Sequence, residues 1–188
     1  KGKISSASVE YTPVGEKIIV LTRNPGYVIG RGGEKIDELT RILRKKFNLE
    51  NPHIEIREIT KPEFDAQSVA DEIALTLERL GNLKFKVIAY KMLERIMRAG
   101  ALGVEIRLSG RLPSERAKSW RFAQGYLKKT GDTAKVVNRA KAIAITQLGV
   151  TGIKVSILAP DAKIHDRIEV DEKLIAKIRA NAIQFENE

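Results

Sequence analysis

Asn24-Pro25-Gly26-Tyr27-Val28-Ile29-Gly30-Arg31-Gly32-Gly33-Glu34-Lys35-Ile36 is the stretch on which the fold of this chain turns. Its centre, Ile29-Gly30-Arg31-Gly32-Gly33, has the spacing I-G-x-x-G and stands directly before an amphipathic helical pattern. A loop without side chains leaves backbone N–H groups open at a helix start, and a phosphodiester backbone can come close to them. Arg31 occupies a variable position of the loop, where a guanidinium can pair with phosphate, and Lys35 lies four residues on. The stretch predicts nucleic acid as partner, with Gly30, Arg31, Gly32, Gly33 and Lys35 as candidate contacts.

Working outward, residues 4–11 and 17–22 read as two strands separated by Pro13 and Gly15, the second an apolar run around Ile18, Ile19, Val20 and Leu21. Downstream, Ile36, Leu39, Leu43 and Phe47 give one apolar helix face, residues 53–59 a third strand, and Val69, Ile73, Leu77 and Leu80 a helix over about 64–80, stopped by Gly81. Strand, strand, short helix, glycine loop, helix, strand is the order of a type-two KH domain, in which the loop clamps nucleic-acid backbone beside a groove for unpaired bases. Two rival glycine loops fail on spacing. A P-loop needs Gly-Lys-Ser/Thr where Glu34-Lys35-Ile36 stands, and a dinucleotide fingerprint needs a small residue where Lys35 stands. No nucleotide cofactor is expected.

A second unit opens with a helix over 84–99, with Phe85, Ile88, Met92, Ile96 and Met97 facing inward and Lys84, Lys86, Lys91, Arg95 and Arg98 outward. Strands are predicted at 104–112, about 120–128, 139–148 and 152–159, separated by Pro113, Gly131-Asp132 and Gly149 to Gly152. The expected architecture is α+β: a KH domain over 1–83, a basic α/β domain with a four-stranded sheet over 84–160, and an acidic, amphipathic extension over 161–188 carrying Leu174, Ile175, Ile178 and Ile183.

Charge is distributed unevenly along these units. The net charge of +10 resolves into 13 Lys+Arg against 13 Asp+Glu in residues 1–83, 16 against 4 in 84–159, and 5 against 7 in 160–188. The second unit therefore holds the whole excess, as a polyanion-binding domain would. Its basic residues fall on the 84–99 helix (Lys86, Lys91), in the run Arg107, Arg111, Arg116, Lys118, Arg121, and in Lys128, Lys129, Lys135, Arg139 and Lys141. Strand alternation predicts Arg107 and Arg111 on one side of a strand, and Arg139 and Lys141 on one side of another. Trp120, Phe122 and Tyr126 share a parity and either stack on bases or fill the core, the commoner fate.

Catalysis finds no support. There is no cysteine, no His-Glu-x-x-His, and no serine triad in recognisable context, and the two histidines, His53 and His165, are far apart, so no metal site is expected. Neither a membrane-length apolar run nor a signal-peptide pattern is present, and the chain reads as intracellular.

Three stretches carry a family resemblance: Asn24 to Ile36; Arg98-Ala99-Gly100-Ala101-Leu102-Gly103-Val104-Glu105-Ile106-Arg107-Leu108-Ser109-Gly110-Arg111-Leu112; and Gly149-Val150-Thr151-Gly152-Ile153-Lys154-Val155. Over about residues 1–160 the chain resembles ribosomal protein S-three of the small subunit, in its archaeal and eukaryotic form. The resemblance implies a structural, non-enzymatic constituent of the cytoplasmic ribosome that binds small-subunit rRNA in the head. It also implies contact with neighbouring head proteins, a place beside the channel through which mRNA enters, and no homo-oligomer. In bacterial relatives, basic residues on the helix opening the second domain help part structured mRNA; here Lys86 and Lys91 keep charge, whereas Val87 and Tyr90 stand where the bacterial pattern tends to be basic. The sequence starts abruptly at Lys1-Gly2-Lys3, as if an N-terminal helix usual for this fold lay outside the residues shown. Two other readings, a DNA-repair lyase and a free-standing KH regulator, differ in requiring a lysine of depressed pKa and a life away from ribosomes.

Overall fold

The computed structural model describes residues 4–13, 15–112, 114–164 and Ile175. The extension expected over 161–188 therefore lies almost wholly outside the described residues.

Strands β1 (Ser6–Thr12), β2 (Gly15–Thr22) and β3 (His53–Glu58) form a first sheet in the order β1-β2-β3. β1 and β2 are an antiparallel hairpin, while β2 and β3 run parallel, which demands a crossover. Helices α1 (Pro25–Ile29) and α2 (Glu34–Phe47) supply it, with the glycine loop at their junction. Ile18, Ile19, Val20 and Val28 are the buried apolar residues of this unit. The apolar pattern of α2 is not matched by burial: among the described residues the helix packs mainly on α1, the glycine turn and β3, and Leu39, Ile42 and Phe47 remain exposed.

Helix α3 (Ala66–Leu80) is capped by Asp65, whose carboxylate accepts the Ser68 N–H at 2.9 Å, and it ends at Gly81 in a positive-φ turn (φ 78°). Its buried stripe of Ala66, Val69, Ala70, Ile73, Ala74 and Leu77 does not complete the first unit. It packs on β6 (Asn138–Thr146) and β7 (Gly149–Leu158), where small residues on both sides, Ala70 and Ala74 against Ala142 and Ala144, let helix and sheet approach closely. A division at residue 83 would cut α3 from the core that it fills. The packing instead puts the join at residues 59–65.

α4 (Phe85–Arg98) covers the other half of the second sheet, β4 (Gly103–Gly110) and β5 (Lys118–Gly125), in an antiparallel array ordered β5-β4-β7-β6. Phe85 anchors it, with ring centroids 5.5 Å from Trp120 and 6.3 Å from Phe122. Trp120 and Phe122 thus belong to the helix-covered side, and Tyr126 is exposed. Asn82, buried between the helices, donates to the Arg111 carbonyl at 3.2 Å and to the Thr146 hydroxyl at 3.1 Å, pinning the α3–α4 turn to the sheet.

An ion-pair chain joins the two units. Glu72 of α3 accepts from Arg23, just before α1, at 2.6 Å, and from Arg95 of α4 at 2.9 Å; Arg95 also reaches Glu63 at 3.0 Å. The Glu63 carboxyl is held below the usual carboxylate range by its own backbone N–H and then by Arg95.

Candidate nucleic-acid interface

Local geometry explains the glycines of the loop. Asn24 enters α1 in an extended conformation, Pro25 takes the first helical position, and the Gly30 N–H closes the turn on the Gly26 carbonyl at 3.0 Å. Gly30, Gly32 and Gly33 then take φ values of 76°, 61° and 85°, a left-handed run that side chains resist. A Cβ on Gly30 would lie 2.9 Å from the Lys35 Cγ, whereas nothing stands within 4 Å of a Cβ on Gly32 or Gly33. The last two glycines therefore face open space, with Arg31 exposed beside them and Lys35 folded back over Gly30. This is a surface that backbone phosphate can approach, at the N-terminal end of a fourteen-residue helix.

Among the described residues, helices cover one face of the second sheet and leave the other open. Its other face carries Glu105, Arg107, Arg121, Arg139, Lys141 and Lys154, all placed outward by the alternation of β4, β5, β6 and β7. Glu105 is 8% exposed and gathers three cations: Arg107 at 3.1 Å, Arg121 at 3.0 Å and Lys129 at 3.0 Å. Burial pushes its carboxyl up, but Lys129 and Arg121 outweigh that and leave it below the usual range.

The chain was compared with known proteins on this footing. The family description "KH domain" matches residues 1–64, and "Ribosomal protein S3, C-terminal domain" matches residues 73–157, which leaves unmatched the N-cap and first two turns of α3. Among the relatives, "Small ribosomal subunit protein uS3" of Methanocaldococcus jannaschii is 41% identical over 92% of this chain and 82% of its own length. The protein of the same name from Archaeoglobus fulgidus is 42% identical over 91% of this chain and 74% of its own length. The chain belongs to the uS3 family of small ribosomal subunit proteins. It is a structural protein of the ribosome, not an enzyme, and uS3 proteins work in the cytoplasmic ribosome. Among the described residues no helix is long and apolar enough to cross a membrane, and no cluster of metal-ligating side chains occurs.

Within this uS3 fold the candidate contacts of the second unit separate. Arg107, Arg121, Arg139 and Lys141 share the open face of the sheet, and Lys129 turns onto it through Glu105. Arg111 and Lys118 do not join them. β4 stops at Gly110 (φ 154°), so Arg111 leaves the alternation and donates to the Glu115 carbonyl at 3.0 Å; Lys118 has the parity of Trp120 and points to the helix side. With exposed Arg116 they form a basic turn beside α4. Lys86 and Lys91 lie on different sides of α4. The Lys86 ammonium sits 4.7 Å from the Trp120 ring centroid, and Lys91 lines a groove with Arg79, Leu80 and Val87. Half-buried Lys128 follows β5. Two residues are missing from the candidates that the sequence offers: Lys154, which the alternation Ile153, Val155, Ile157 turns outward, and Glu105, the anion among these cations.

Proposed function

We propose that this uS3 protein is held to small-subunit rRNA chiefly by its second unit, with the glycine loop as a weaker local clamp on single-stranded RNA. Charge carries the reading. With α3 counted in the unit where it packs, residues 1–65 carry 12 Lys+Arg against 10 Asp+Glu, and residues 66–159 carry 17 against 7, so the asymmetry survives the corrected boundary. Counterion release makes affinity follow the number of phosphate contacts, and the second unit has the cations to make them.

The same reading places mRNA along α4 and the turn that follows β4. Lys86, Lys91, Arg111, Arg116 and Lys118 supply charge there, and exposed Val87 and Tyr90 supply apolar contact. The exposed apolar side chains of α2 suit neighbouring proteins of the subunit head. A salt titration of rRNA binding tests the division of labour. Replacing Arg31 by Gln should remove at most one phosphate contact from the slope of log K against log salt, whereas Gln at Arg107, Arg121, Arg139 and Lys141 together should remove several. A loop variant that costs more than the sheet variant overturns the reading.

A further inference from the structure

The register of the second sheet lines its open-face cations into one row. Arg121 of β5 lies opposite Arg107 of β4, Arg107 lies opposite Lys154 of β7, and Lys154 lies opposite Lys141 of β6. Each strand thus contributes one cation, and at roughly 4.8 Å per strand the row runs about 14 Å across the sheet, perpendicular to the strands. Like charges directly opposite one another cost a sheet stability, so such a row calls for a compensating anion.

Within the protein the compensation covers only one end. Glu105 serves Arg107, Arg121 and Lys129, whereas Lys154, Lys141 and Arg139 make no ion pair among the described residues. The neighbouring rows leave space above the cations. On one side Ser119, Ser109 and Gly152 are mutually in register, with exposed Ile143 ending that row on β6, and on the other Ala123, Glu105, Ser156 and Arg139 follow in strand order. The row is therefore the floor of a shallow trough, low along Ser119, Ser109 and Gly152 and at Ala123 and Ser156, where a bulky backbone can approach and hydroxyls can meet phosphate or ribose.

We propose that this trough is a ribose-phosphate track: one RNA strand crosses the sheet from β5 to β6, with successive phosphates over Arg107, Lys154 and Lys141. The inference rests on the rRNA-binding reading and adds the residues, above all Lys154, and the direction of the strand. Glu105 is a positioning residue here. It fixes the guanidinium groups of Arg107 and Arg121 on the floor without reaching Lys154 or Lys141. A track running along a strand would instead need Arg139 and Lys141 followed by further cations on β6, where Ile143 and Ile145 stand.

The test uses the full chain and an RNA duplex of about 16 base pairs or a single strand of the same length. The readout is the slope of log K against log salt. Lys154→Gln and Lys141→Gln should each reduce it by about 0.9 on duplex or 0.7 on single strand, lowering affinity about fivefold near 0.15 M salt, and their effects should add. Lys154→Arg should restore the slope. Lys135→Gln, on an exposed side chain paired with Asp132 in the turn before β6 and outside the row, should leave it unchanged. A normal wild-type slope that Lys154→Gln and Lys141→Gln do not alter overturns the track while leaving rRNA binding intact. So does a loss confined to binding of an acidic peptide, which would make the trough a protein site. Absence of any salt-dependent RNA binding by the wild type would instead remove the reading on which the track rests.

Discussion

Replacing Glu105 by Gln keeps the shape of the side chain and removes the one charge that balances the floor of the open sheet. The carboxylate is 8% exposed, but its partners Arg107, Arg121 and Lys129 are 47%, 51% and 51% exposed, so water already screens much of each attraction. Discounted to about 0.2–1 kcal/mol each, the three pairs contribute roughly 1–2 kcal/mol. The new amide adds about 1 kcal/mol of loss, because its NH2 end must face either Arg107 or the pair Arg121 and Lys129, donors all, in a buried position. The expected destabilisation at pH 7 is about 2 kcal/mol, roughly 30-fold in the folding equilibrium.

Urea denaturation across pH separates this account from simple misfit. A carboxyl whose folded pKa is depressed gives stability that is complete above its unfolded value, about 4.3, and is lost as pH falls through the folded value. The gap between wild type and Glu105→Gln should therefore be full at pH 7, begin to close below about pH 5, and keep closing as the wild-type carboxylate protonates. A gap that stays constant down to the acid unfolding of both proteins would refute the electrostatic origin. No gap at pH 7 would refute the positioning role.

Three further outcomes are expected. Gly103→Ala should destabilise by about 3 kcal/mol or more in urea, because the new Cβ would lie 2.0 Å from the Tyr126 carbonyl oxygen, a backbone atom that cannot swing aside; Gly32→Ala, with open space but φ of 61°, should cost only about 1 kcal/mol. Glu72→Gln should leave the spectroscopic signature of each unit intact but speed proteolysis at residues 59–65, since it breaks the link from Arg23 to Arg95; an unchanged cleavage rate would show the join to be held by other contacts. Lys86→Gln should shift Trp120 fluorescence and lower stability by about 0.5–1 kcal/mol through loss of its cation–π contact, whereas an unaltered emission spectrum would place the ammonium elsewhere in solution.

What the sequence shows and hides follows from the range of each interaction. The glycine loop is legible because its requirement is local: three glycines in four positions, at positive φ, ahead of a helix. The α3 stripe is equally legible as an amphipathic helix, yet its spacing says nothing about which sheet it meets, and proximity to β3 in the chain suggested the wrong one. Gathering Arg107, Arg111, Arg116, Lys118 and Arg121 by nearness in sequence hid their separation, since Gly110 ends the alternation and parity turns Lys118 away. Lys154 was hidden for the opposite reason. Its orientation is local, but its place between Arg107 and Lys141 is set by pairing across strands distant in sequence.

The corrected position of α3 also changes how the two RNA-facing parts work together. α3 is core to the basic unit, yet Glu72 on it holds Arg23, the residue before the Asn24-Pro25 start of the loop. Loop and basic face are thus fixed to the same helix. On the proposed reading, a nearly neutral clamp would bind single-stranded RNA weakly alone, but rRNA held on the basic face would present a neighbouring strand at high effective concentration. The gain depends on geometry: a rigid join favours RNAs whose two segments match the separation it sets, and excludes others. Few charges on the first unit are then an advantage, because selectivity for RNA shape would be blurred if either part bound tightly without the other.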